Sequence, residues 1–276
     1  MRVLRWLGIL FLALFLLLAF MFAEARRMPA MRTATIALPN YPAGAKPLRV
    51  ALLTDTHMGG PDQSPERLRR IVAEIDAQHP DLILLGGDFL GERKYFGRAY
   101  TPEEAVAPFA GLRAPLGVLA VLGNHDFWDG PEAAEAALRR LGILVLHNQA
   151  VRRGPLAIGG IGDSSTDHAD PAATLAAARG LGGAPLFFSH GPDVFPRLPA
   201  GTTLLVGHTH CGQIALPFVG AIAVPSDYGS RYACGRYREG GKTMIVSGGV
   251  GTSVVPLRFW APPDWWLVTI TGGQPS

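Results

Sequence analysis

Five times along this chain an apolar run of strand length stops and side chains able to ligate a metal follow at once. The segments are Asp55-Thr56-His57, Gly87-Asp88, Gly123-Asn124-His125-Asp126, Ser189-His190 and Gly207-His208-Thr209-His210, and they hold five of the eight histidines. In open α/β sheets ligands collect at the carboxyl ends of strands, so the five segments can converge on one crevice. Taken singly, each reads as a turn, a helix cap or a core histidine. Their conjunction, in order and with suitable partners, points to a metal site. Asp55 and His57, one residue apart, can project to the same side of an extended segment and hold one ion, as can His208 and His210. Imidazole, carboxylate and amide oxygen together suit Zn, Mn or Fe better than an all-oxygen calcium site or a thiolate site.

The intervening sequence alternates strand and helix. Apolar runs at 48–54, 81–86 and 117–122 read as buried strands. Ser64-Pro65-Glu66 opens a helix with a cap, a first-turn proline and an acidic residue, and Leu68, Ile71, Val72 and Ile75 give it one apolar face. Thr101-Pro102-Glu103-Glu104 is a capping box. Ala134, Ala137, Leu138 and Leu141 mark a further helix, short strands are expected within 143–161, and another helix starts at Pro171. Strands at 186–189 and 203–206 follow, and beyond Gly212 short β-like runs divided by Gly and Pro lead to a last strand at 266–270. The pattern predicts an α/β domain whose mixed sheet is completed by antiparallel strands, over residues 48–276. Trp260, Trp265 and Trp266 are expected to alternate in burial along the terminal strand.

Ahead of this domain, no charge occurs from Trp6 to Ala23. Eighteen helical residues span about 27 Å, close to the hydrocarbon thickness of a bilayer. Residues 1–25 therefore read as a transmembrane anchor. A cleaved signal peptide is the competing reading, but its apolar region usually runs only about 7–15 residues. Arg2 and Arg5 flank one end and Arg26, Arg27 and Arg32 the other, so charge leaves the orientation open. Residues 26–47, with Pro29, Pro39, Pro42 and Pro47, read as a linker. Of the formal net charge of +3, the first 32 residues carry +4, which leaves about −1 for the rest. A near-neutral domain lacks the clustered basic face that nucleic acid requires. Cys211 and Cys234 are too few for a disulfide framework and do not reveal the compartment.

The five motifs resemble the signature blocks of the calcineurin-like metallophosphoesterases over roughly residues 48–211. The tail, with Gly212-Gln213, Pro217-Phe218, Gly249-Val250-Gly251-Thr252-Ser253, Pro256 and Arg258, is similar to a bacterial membrane-associated branch that includes UDP-2,3-diacylglucosamine pyrophosphatase-like enzymes. The resemblance implies a four-layer α-β-β-α sandwich with two mixed sheets, and two divalent ions among Mn, Zn, Fe and Mg. It assigns Asp55, His57, Asp88 and His210 to one ion and Asp88, Asn124, His190 and His208 to the other, with Asp88 bridging. Cys211 stands where the branch usually has glycine and is expected to be a passive small residue.

Two such cations can share a water, lower its pKa and present hydroxide for in-line attack on phosphorus. His125, adjacent to Asn124 but not needed as a ligand, is expected to meet the leaving oxygen, with Asp126 orienting it. The expected activity is hydrolysis of phosphodiester or pyrophosphate bonds at the bacterial inner membrane, and the anchor is the argument for a lipid-linked substrate. Phosphomonoester or cyclic-nucleotide hydrolysis is the alternative, and a catalytically silent membrane scaffold is the non-enzymatic one. Arg93, Lys94 and Arg98 are candidates for a second phosphate contact, against an ordinary solvated charge run.

Overall fold

The computed structural model describes residues 1–91 and 98–272. Helix α1 (Arg2–Arg26) is followed by β1 (Ala30–Leu38), β2 (Leu48–Leu53), α2 (Pro65–Asp76), β3 (Leu82–Leu85), α3 (Pro102–Val106), β4 (Val118–Ala120), α4 (Asn124–Asp129) and α5 (Pro131–Arg140). The second half contains β5 (Leu144–Val145), β6 (Gln149–Arg153), β7 (Leu156–Gly160), α6 (Pro171–Leu181), β8 (Ala184–Phe188), β9 (Thr203–Val206), β10 (Ala215–Leu216), β11 (Gly220–Ala221), β12 (Gly235–Glu239), β13 (Lys242–Val246) and β14 (Asp264–Gly272). Local signals explain several boundaries. The Ser64 hydroxyl caps α2 by accepting from Arg67 N–H, and Thr101 and Glu104 form the reciprocal capping box of α3.

Two six-stranded sheets, ordered β1-β14-β2-β3-β4-β5 and β12-β13-β9-β8-β7-β6, both contain parallel and antiparallel pairs. Val50, Leu52, Leu84 and Val121 of the first sheet meet Ile158, Leu186, Phe188 and Ile245 of the second in a shared core. On the first sheet's other face Ala51, Leu53, Ile83 and Leu85 pack against Leu68, Ile71 and Ile75 of α2 and Leu138 of α5. On the second sheet's outer face Phe187, Leu204, Val206 and Met244 pack against Ala178 of α6 and a helical turn carrying Val194 and Phe195. Strands buried on both faces must be apolar, which is why Val50, Ala51, Leu52 and Leu53 of β2, all of β3, and Leu204, Leu205 and Val206 of β9 read as unbroken runs. The four-layer α/β sandwich with two mixed sheets is the expected fold.

The N-terminal region differs from a simple anchor and tether. Helix α1 is long and apolar enough to cross a membrane. Its last turn, however, is docked. The Arg67 guanidinium donates to the carbonyls of Ala25, Arg26 and Arg27, satisfying acceptors that a helix C-terminus leaves open. Arg258 N–H donates to Met21 O at 3.0 Å, and the Phe20 and Phe259 rings meet edge to face. Residues 30–38, expected within the linker, are β1, which pairs in parallel with all of β14. The nine residues between Pro29 and Pro39 carry no proline and include Thr33, Thr35 and Ile36, so β-branched content and the missing edge partner of β14 outweigh the proline-rich flanks.

The terminal tryptophans also divide differently. Trp265 and Trp266 are buried in β14, whereas Trp260 lies before the strand, 66% exposed.

Candidate metal centre

Each expected ligand sits just beyond a strand: Asp55 and His57 after β2, Asp88 after β3, Asn124 after β4, His190 after β8, and His208 and His210 after β9. The loops are laced together by main-chain bonds, with Asp55 N–H to Gly87 O, His57 N–H to Asp88 O and Gly207 N–H to His190 O at 2.8–3.0 Å. Asp55, His57, Asp88, His208 and His210 all adopt positive φ, between 40° and 73°. Such left-handed non-glycine residues cost energy and persist only where surrounding contacts over-determine them, a pattern concentrated at functional sites. The glycines of the motifs answer to space. A Cβ on Gly123 would collide with Asp88 Oδ1, and one on Gly207 with Asp55 Oδ2.

All seven side chains meet in one cluster. Asp55, His57 and His210 form one trio of donors and Asp88, His190 and His208 a second. His57 Nε2 lies 3.0 Å from His210 Nε2, and His208 Nδ1 lies 3.0 Å from His190 Nε2. Asn124 Oδ1 is 3.0 Å from His190 Nε2. Asp88 joins the trios, its Oδ2 standing 3.3 Å from both His57 Nε2 and His190 Nε2.

The donor chemistry fits cations. His190 Nδ1 donates to Gly86 O at 2.8 Å, so the neutral ring presents a lone pair at Nε2 toward Asp88, Asn124 and His208. Burial opposes charge on His190, but the adjacent Asp88 carboxylate outweighs it and holds the imidazole well above its ordinary pKa. Burial, His57 and Arg258 push His210 well below its ordinary value, toward the neutral form a metal needs. Burial also raises Asp88, yet His190, His57 and His125 overcome it and keep the carboxyl ionised. With the His190 proton displaced, the converging imidazole nitrogens, carboxylate oxygens and amide oxygen make a donor set that suits a cation.

His125 lies against His57, ring centroids 4.7 Å apart, and against Trp128 on its other side at 4.9 Å. It lines the cleft together with Asp88, Asn124, His208 and His210. Its main-chain N–H donates to Asp88 Oδ1 at 2.9 Å. The Asp126 carboxylate, expected to orient the His125 ring, is engaged by four main-chain N–H groups. Its Oδ2 accepts from Asp88 N–H and Gly123 N–H at 2.8 and 3.0 Å, and its Oδ1 from Phe89 N–H and Leu90 N–H at 2.9 and 3.2 Å. Asp126 therefore braces the loop that carries Asp88. Burial and the Asp88 charge push its carboxyl up to about 7, and the donating N–H groups counter them.

The roles of three residues were not legible from the motifs. Arg258 is wholly buried beside His210, donating to the carbonyls of Gly248, Gly251 and Ala261 and so gathering the loop behind the site. Arg67 performs the same service for α1, although in sequence it is one arginine among several in α2. Cys211 is not a passive small residue. It is disulfide-bonded to Cys234, adjacent in sequence to His210, and the parity of two cysteines was the available signal. Arg98 pairs with Glu104 and lies over the Tyr100 ring, away from the cleft lining, while Arg93 and Lys94 lie outside the described residues.

The cleft over the cluster has a volume of about 640 Å³, and its wall includes Ser164, Ser165, Asp167, Asp193, Asp227, Ser253, Trp128 and Val254. No lysine or arginine lines it among the described residues.

A family model described as calcineurin-like phosphoesterase matches residues 48–212. The metallophosphoesterase YkuE of Bacillus subtilis is 30% identical over 250 residues, covering 86% of this chain and 83% of its own length. A metallophosphoesterase of Helicobacter pylori is 30% identical over 227 residues, 79% of this chain, which spans 58% of that relative's length. A transmembrane protein with metallophosphoesterase domain from Danio rerio is 26% identical, covering 86% of this chain and 56% of that protein.

Proposed function

The chain belongs to the calcineurin-like phosphoesterase family and is a metal-dependent phosphoester hydrolase, and from that premise we propose that it binds two divalent cations and cleaves phosphodiester or pyrophosphate bonds of a membrane-associated substrate. The observation that carries the two-cation reading is the shared Asp88 oxygen, 3.3 Å from one histidine of each trio. Asp55, His57, Asp88 and His210 would hold one cation, and Asp88, Asn124, His190 and His208 the other. When bound, the pair supplies Lewis-acid polarisation of the phosphoryl oxygens and activation of water. The chain's own residues do the rest. The strained loops fix the donors in place, Asp126 and Arg258 hold those loops, and His125, at the cleft between His57 and Trp128, is positioned to give a proton to the leaving oxygen.

The exposed Trp128 and Val254 at the rim suit a substituent beyond the phosphorus. Helix α1 supports a membrane location. The Cys211–Cys234 disulfide supports placing the domain on an oxidising, non-cytoplasmic face.

The test is hydrolysis of bis-p-nitrophenyl phosphate by the full chain in detergent, after chelation and re-addition of Mn, Zn, Fe or Mg, beside Asp88→Asn. Metal-restored turnover, binding of two ions per chain and loss of both turnover and the second ion in Asp88→Asn are the expected results. One ion per fully active chain overturns the two-cation centre.

A further inference from the structure

From Gly212 to Ser226 the chain carries no charged residue, yet much of this segment is on the surface. It forms the β10–β11 hairpin, whose exposed side chains are Leu216 (41%), Phe218 (108%), Val219 (75%) and Ile222 (62%). A water-exposed hairpin tip ordinarily carries polar or turn-forming side chains, and a contiguous apolar surface of this kind marks an interaction site.

Its position says with what. Phe259, whose ring meets Phe20 of α1, pairs with the stem of the hairpin: Ala215 N–H donates to Phe259 O at 2.8 Å and Phe259 N–H to Gln213 O at 3.0 Å. Trp260 follows at once and lines a single groove with Leu216, Phe218 and Val219. Gln213 ties the stem to the neighbouring loop, accepting from Ser253 N–H and donating to the carbonyls of Ser253 and Val255. The hairpin, Trp260 and α1 are thus joined rigidly at the point where α1, buried over only 6% of its apolar span, leaves the domain.

We propose that the hairpin tip and Trp260 are seated in the outer part of the lipid bilayer beside α1. This gives the domain a second, fixed attachment to the membrane. Apolar side chains with an aromatic at their edge belong at that depth, about 5–10 Å into the headgroup and acyl boundary. A separate small groove, lined by Gly212, Gln213 and Ala223 of the hairpin stem, shares Ser253 and Val254 with the metal cleft, so the stem of the seated hairpin borders the cleft. The inference rests on the reading of α1 as a membrane anchor.

The experiment uses the full chain in phosphatidylethanolamine–phosphatidylglycerol vesicles with the photo-crosslinker p-benzoylphenylalanine at single positions: Phe218, Trp260, Phe11 and Leu181. Leu181 is exposed and adjoins Gly182, which lines a groove with Pro39 and Asn40 at the end of β1 remote from α1. Lipid adducts at 218 and 260 and none at 181 are expected. Lipid adducts at 11 without any at 218 and 260 overturn the seat while leaving the anchor in place. Adducts to a second copy of the chain at 218 overturn it in favour of a protein interface. Lipid adducts at 218 and 260 without any at 11 retain the seat and remove the spanning anchor.

Discussion

The Asp126 carboxylate accepts the main-chain N–H of Asp88 at 2.8 Å, so the residue that joins the two donor trios is held from behind by a buried acid. With Gly123, Phe89 and Leu90 also donating to it, Asp126 closes two strand-end loops onto one another. In Asp126→Asn an amide NH₂ would face main-chain donors, leaving at least one buried N–H unsatisfied at a cost of about 1–3 kcal/mol. Urea unfolding should show that loss, with cation affinity and turnover falling together. An Asp126→Asn protein of undiminished stability would remove the bracing role.

His125 is expected to act on the leaving group and not on the cations. His125→Ala should lower turnover by about 10²–10⁴-fold while isothermal titration finds the cation stoichiometry unchanged. The loss should shrink for a substrate with a very acidic leaving group, which needs no proton. Loss of one ion in His125→Ala would make it a ligand, as its proximity to His57 and Asp88 permits.

Chelated protein should lose stability as pH rises from 6.5 to 8. Asp126, raised to about 7, and His190, raised well above its ordinary value, both hold protons in the folded state that the unfolded chain has released over this window. Stability from groups with raised folded pKa values is lost as pH climbs through those values, here by about 1–3 kcal/mol. His208 and His210 are shifted downward, so the unfolded chain still holds part of their protons near pH 6.5 and they oppose the trend, by only about 0.4 kcal/mol each because that fraction is gone by pH 8. Saturating divalent cation should flatten the slope, because it replaces those protons. Thermal melts at both pH values, with and without metal, would check this.

Reduction of the Cys211–Cys234 bond, or Cys234→Ser, should destabilise the protein by about 2–4 kcal/mol, since the bond closes a 23-residue separation. His210 neighbours Cys211, so cation affinity should fall with it. Equal metal affinity in oxidised and reduced protein would separate the bond from the site.

Arg67→Met should release the last turn of α1 without emptying the site. The Arg67 guanidinium supplies the donors for the Ala25 and Arg27 carbonyls. Protease cleavage between residues 23 and 30 is expected to accelerate in detergent, with bis-p-nitrophenyl phosphate turnover largely retained. Unchanged cleavage would mean that Phe20, Met21 and Arg258 suffice to dock the helix.

The candidate donors could be read from the chain because they are written locally: an apolar strand, then a donor, with a glycine where no Cβ fits before Asp88, Asn124 and His208. Strand periodicity likewise located β2, β3, β9 and β14, and the absence of charge from Trp6 to Ala23 located α1. What no local signal contained was which distant groups would satisfy one another. β1 looked like linker because its partner β14 lies at the opposite end of the chain. The sequence offered Asp126 only its neighbour His125, whereas the four N–H groups it accepts arrive from the Asp88 loop and Gly123 once β3 and β4 pair. Arg258 stood in the tail motif without a role and Arg67 among the arginines of α2, and only folding shows which carbonyls each of them satisfies. Periodicity and side-chain type, which the sequence determines alone, fix what each element is and which groups it can offer. Buried polar groups must find partners wherever the packed chain brings them, and only the tertiary structure decides those pairings.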